Sequence, residues 1–65
     1  MKVKDIVKKI NDTMIFIEPI EEKSGASFGY YKNFEILRNE ELNNKTIKKI
    51  NIQYFKNKRY LKVYF

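Results

Sequence analysis

The chain of 65 residues contains no cysteine, no histidine and no tryptophan. Without the first two there are no disulfides, thiolate nucleophiles or imidazole bases, and no zinc or haem site built on those ligands. Only two glycines are present, Gly25 and Gly29, and neither precedes a helix at the spacing of a phosphate-binding loop. The acids Glu18, Glu21 and Glu22, and separately Glu40 and Glu41, are chain neighbours that do not converge as a magnesium site or an acid–base pair must. Ser24 and Ser27 have no imidazole to activate them. The expectation is a protein that is not an enzyme and carries neither cofactor nor metal. No apolar run approaches the roughly 20 residues of a membrane-spanning helix. The N-terminus also lacks the apolar stretch and cleavage site of a signal peptide, so a cytoplasmic chain without a membrane partner is expected.

What is present is charge of one sign and aromatic area. Lys plus Arg number 14 against 8 Asp plus Glu, a net charge of +6, and the chain is 43% hydrophobic and 15% aromatic. That composition is too apolar for a disordered tail. At 7.9 kDa a compact monomer exposes about 4,400 Å² and buries roughly 60% of its unfolded surface, enough for one domain over 1–65 with one thin core. The cations are unevenly spread. Residues 42–65 contain no acid and carry Lys45, Lys48, Lys49, Lys56, Lys58, Arg59 and Lys62, whereas residues 1–41 hold all the acids and net −1. Such asymmetry produces a local positive field that draws anions, either phosphate backbones or acidic protein surfaces.

Val3, Ile6, Val7 and Ile10 recur at the i, i+3, i+4, i+7 spacing of one helical face, which predicts a short amphipathic helix over 2–10 with its exit at Asn11 and Asp12. Met14 to Ile17 is an apolar run that predicts a strand over 13–18, ended by Pro19, which supplies no amide hydrogen to a ladder. Ser24-Gly25 marks a turn and Ser27 to Ile36 returns to apolar residues, completing a first β-hairpin. Arg38 to Lys45 suffices for one helical turn. From Ile50 the alternation is clean: Ile50, Ile52 and Tyr54 point one way, Asn51, Gln53 and Phe55 the other. Lys56-Asn57-Lys58 then makes a tight turn, after which Leu61, Val63 and Phe65 alternate with Tyr60, Lys62 and Tyr64. Ile47 breaks this parity, so either a bulge intervenes or the regular strand starts near Lys49.

These elements predict an α+β fold in which the N-terminal helix packs on a four-stranded antiparallel sheet made of two β-hairpins, with a short helical turn between them. The opposite sheet face is left to solvent, and its C-terminal hairpin supplies the candidate partner-binding residues: Asn51, Gln53, Phe55, Lys56, Lys58, Arg59, Tyr60, Lys62 and Tyr64. Rings give flat area on which bases or an apolar partner stack, while the cations neutralise phosphates. The same residue types anchor protein interfaces. Equally, Phe55, Tyr60 and Tyr64 pack against one another across strands in sheets that bind nothing. Ser27-Phe28-Gly29-Tyr30-Tyr31-Lys32 shares only its Phe-Gly-aromatic centre with the sheet motif of RNA-recognition domains, and the chain is too short for that fold.

Met1-Lys2-Val3-Lys4-Asp5-Ile6-Val7-Lys8-Lys9-Ile10 and Glu40-Glu41-Leu42-Asn43-Asn44-Lys45-Thr46-Ile47-Lys48-Lys49-Ile50 resemble the opening helix and the connector of small proteins encoded by phages and prophages of AT-rich bacteria. The resemblance implies a stoichiometric binder of mobile-element origin, acting in the bacterial host cell. It implies an inhibitor of a host defence protein or nucleoprotein, in the manner of anti-CRISPR proteins, with the basic aromatic hairpin as its contact. Direct binding of single-stranded or duplex nucleic acid is a second expectation. Self-association into a homodimer, through an edge strand ending in Tyr64-Phe65, is a third.

Overall fold

The computed structural model describes residues 1–10 and 14–65. The N-terminal stripe forms helix α1 over Val3–Val7. The Asp5 carboxylate Oδ2 accepts from the Lys2 N–H at 2.8 Å, satisfying a free donor at the helix start. Hydrogen bonds from the Lys9 and Ile10 amides to Ile6 and Val7 carry the coil one turn further. Val3 and Val7 are fully buried, while Ile6 and Ile10 pack beside them. A helix of five residues does not persist alone in water. Backbone bonds from Val3 N–H to the Lys45 carbonyl (2.9 Å) and from Ile47 N–H to the Met1 carbonyl (2.8 Å) tie it to the chain ahead of the last hairpin. The exit expected at Asn11 and Asp12 lies outside the described residues, as does Thr13.

Three strands follow from the remaining apolar runs: β1 over Ile15–Ile20, β2 over Lys49–Phe55 and β3 over Lys58–Tyr64. They make one mixed sheet in the order β1-β3-β2. β2 and β3 form the antiparallel hairpin that their alternation predicts, joined by Lys56 and Asn57, both at positive φ (49° and 63°) as a two-residue hairpin turn requires. The register begins at Lys49↔Tyr64, which leaves Ile47 before the strand. β1 pairs with β3 in parallel, from Ile15↔Arg59 to Ile20↔Tyr64. Ile17, Leu61 and Val63 point to one face of the sheet, where Val3, Val7, Ile36 and Leu42 of the helical layer meet them as the core.

The expected four-stranded antiparallel sheet of two hairpins is therefore not the architecture. Two local features redirect the chain. First, Pro19 does not end β1 but sits inside it, opposite Val63. Ile17 exchanges both backbone hydrogen bonds with Tyr31, so Pro19, two residues on, also turns its backbone edge away from β3; its carbonyl accepts from the Phe28 N–H at 2.9 Å, and its missing N–H costs the β1–β3 ladder nothing. Second, the return segment after the Ser24-Gly25 turn touches β1 only at the isolated bridges Ile20↔Ser27 and Ile17↔Tyr31. Between them residues 28–30 face residues 18–19, and Gly29, at φ 99°, takes up the extra residue. A regular strand is interrupted there.

The second half of the expected strand is instead helix α2, Asn33–Arg38, in which Ile36 is buried. Its start is fixed by the Lys32 N–H donating to Glu35 Oε1 at 2.8 Å. The single turn expected between Arg38 and Lys45 is α3, Glu40–Asn43, capped by Asn39, whose Oδ1 accepts from the Leu42 N–H. Buried Asn43 donates its Nδ2 to the carbonyls of Ile36 (3.3 Å) and Leu37 (3.0 Å), answering acceptors left open where α2 ends. Inserting β3 between β1 and β2 also makes it the middle strand, so an edge contact through Tyr64-Phe65 is not available. No helix among the described residues is long and apolar enough to cross a membrane.

Candidate binding face of the sheet

Residues in direct register share a sheet face. The pairs Asn51↔Lys62, Gln53↔Tyr60 and Phe55↔Lys58 thus lie together with Lys49↔Tyr64 on the side away from the core. The β1–β3 register adds Phe16, opposite Tyr60, and Glu18, opposite Lys62. Seven of the nine candidate residues meet on this face. Lys56 lies in the turn at its rim, its Nζ 5.3 Å from the Phe55 ring. Arg59 departs from the expected site: it pairs with Tyr54 and Ile15 and so takes the side of Leu61 and Val63. The parity of the hairpin already separates Arg59 from Lys58 and Tyr60.

The rings are not equivalent. Tyr60 is half-buried, stacked on Phe16 at 5.7 Å between centroids and met edge-on by Tyr30 at 5.3 Å. It is therefore held by its neighbours, as ring pairs in sheets commonly are. Tyr30 and Phe55, by contrast, are 60% and 57% exposed. Between them runs an open trough of about 360 Å³ lined by Glu18, Tyr30, Gln53, Phe55, Tyr60 and Lys62. Phe16, Tyr30, Glu18 and Lys32 complete a surface of which the hairpin alone is half. Tyr30 and Lys32 reach it because the segment carrying them is bridged to β1, a long-range placement that spacing along the chain does not encode.

Lys62 lines this trough, and further cations lie over neighbouring rings of the same face. The Lys32 ammonium lies 4.1 Å from the Phe16 ring centroid and that of Lys58 5.7 Å, while Lys49 lies 4.5 Å from Tyr64. Such contacts contribute about 0.5–1 kcal/mol each at exposed sites and hold the charges over the sheet. The acid on this face is Glu18, which is buried; its Oε2 accepts from the Ser27 hydroxyl at 2.7 Å, and its Oε1 has no hydrogen-bond partner among the described residues. A second open concavity, about 400 Å³ on the helical side, is lined by Lys4, Lys8, Leu37, Glu40, Asn43 and Asn44. It contains no ring, and the Asn43 amide there is engaged with α2, so the sheet trough is the better candidate despite its smaller volume. Among the described residues no cluster of acids could hold a metal ion.

No family model, curated protein or solved structure matches the chain, so the functional reading rests on this geometry.

Proposed function

We propose that the protein is a non-enzymatic binding protein whose open sheet face takes single-stranded nucleic acid. The observation that carries this reading is the pairing of two exposed rings, Tyr30 and Phe55, across a trough lined by Lys62, with Lys32 and Lys58 over the Phe16 ring on the same face. Any base offers a π-face to such rings, at about 1–3 kcal/mol per stacked base, while the ammonium groups follow the phosphates. A duplex hides its base faces, so the exposed rings favour a single strand. Tyr60 then supports the floor of the trough and does not itself stack on a base.

Titration of a fluorescent single-stranded oligonucleotide tests the reading. Tyr30→Ala and Phe55→Ala each weaken binding by about 5- to 150-fold, the range of one lost stacking contact. Arg59→Ala, on the opposite face, reduces affinity only through net charge. Equal losses from all three variants would remove the sheet face as the site. The inhibitor of a host defence protein, implied by the phage resemblance, is the alternative outcome: a face that ignores oligonucleotides and instead requires the same rings for a host protein.

A further inference from the structure

The two edges of the sheet are treated differently. The β1 edge is covered by the bridged segment 27–31 and contains Pro19. Among the described residues nothing pairs with the β2 edge: every residue from Lys49 to Phe55 is exposed, and residues 50–55 contain no charge, proline or glycine. Edges of this kind are normally protected by an inward charge, a proline or a bulge, because their unpaired backbone groups are a template for another strand. Ile50, Ile52 and Tyr54 are also 43%, 59% and 72% exposed on the side where the helices cover β1 and β3.

We infer that the β2 edge pairs antiparallel with β2 of a second copy, about a two-fold axis at Ile52. The strand reads as its own complement about that residue. In this register Ile52 faces Ile52 of the second copy, Ile50 faces Tyr54, Asn51 faces Gln53, and Lys49 faces Phe55. All seven residues pair, apolar with apolar on one face and amide with amide on the other, and the lysine meets a ring. Sliding by two residues sets Tyr54 against Lys48 or Ile50 against Lys56, and sliding by one turns the apolar side chains against the wrong face. Lys48 and Lys56 flank the paired span with like charge, so salt strengthens this contact by screening them. The product is one six-stranded sheet with both aromatic troughs on the same side. The pairing rests on the β2 edge and not on what the troughs bind, although Gln53 and Phe55 of this strand also line them.

Sedimentation across a concentration series reads the assembly, and cysteine scanning reads the register. The wild-type chain moves from 7.9 kDa toward twice that mass as concentration rises, and added salt shifts the transition to lower concentration. Ile52→Lys sets two ammonium groups on the axis and leaves a monomer. Because the natural chain has no cysteine, Ile52→Cys forms a disulfide-linked dimer under mild oxidation at least roughly tenfold faster than Tyr54→Cys, whose own copy lies off the axis. A mixture of Ile50→Cys and Tyr54→Cys chains yields the mixed disulfide in preference to either homodimer. A wild-type monomer at every concentration overturns the proposal, and so does a Tyr54→Cys chain that links to itself as fast as Ile52→Cys.

Discussion

Lys62 stands in direct register with Glu18 across the parallel β1–β3 pair, yet the buried Glu18 carboxylate takes its hydrogen bond from Ser27 and not from that lysine. The Ser27 hydroxyl donates to Oε2 at 2.7 Å, and Oε1 has no partner among the described residues. The carboxylate thereby ties β1 to the segment that brings Tyr30 and Lys32 to the outer face of the sheet.

Ser27→Ala removes that donor and leaves both carboxylate oxygens unanswered. A buried polar group without its partner costs about 1–3 kcal/mol. Thermal unfolding of the variant is expected to begin several degrees lower, about 4–8 °C per kcal/mol for a domain of this size. An unchanged midpoint would show that water already satisfies the carboxylate.

The hairpin turn holds Lys56 and Asn57 at φ 49° and 63°. Lysine is disfavoured in this left-handed region, whereas Asn-Gly is the preferred pair for a two-residue turn. Lys56→Asn combined with Asn57→Gly is expected to stabilise the fold by about 1 kcal/mol, read as a higher midpoint in thermal unfolding. The same pair in a turn of another type would bring no gain.

The Lys2 amide on Asp5 holds that carboxyl below its ordinary value, helped by the charges of Lys4, the N-terminus and Lys8 and opposed by slight desolvation. A depressed carboxyl pKa stabilises the folded chain above the unfolded value of 3.8 and ceases to do so as pH falls through the lower, folded value. The protection of α1 amides, taken relative to their intrinsic exchange rate at each pH, is expected to fall below about pH 4 in the wild-type chain, ahead of global unfolding. Asp5→Asn should show the lower protection already at neutral pH and lose most of this pH dependence.

What the sequence made legible was local. The period-2 alternation from Ile50 onward and the apolar stripe from Val3 to Ile10 each specify an element through neighbours a few residues apart, and both elements are found. The partner of β1 is a different kind of information. Parallel pairing with β3 joins residues more than forty apart, and the bar raised by Pro19 vanishes once its backbone edge faces the covered side. Helix α2 has no such local signature, because Lys32 offers no capping side chain and Phe34, Ile36 and Leu37 suit a strand as well as a helix. The hairpin half of the candidate face could be read from parity, including the wrong side for Arg59. The other half, Phe16, Glu18, Tyr30 and Lys32, reaches the face only through the β1–β3 register and the bridge at Tyr31.

The salt dependence of oligonucleotide binding tests the aromatic, lysine-rimmed face most directly. A single strand neutralised by Lys32, Lys58 and Lys62 gives a plot of log affinity against log salt with a slope of about −2, reduced by roughly 0.7 when Lys58 is replaced by Ala. A flat plot, or no binding of a single strand at low salt, would contradict it.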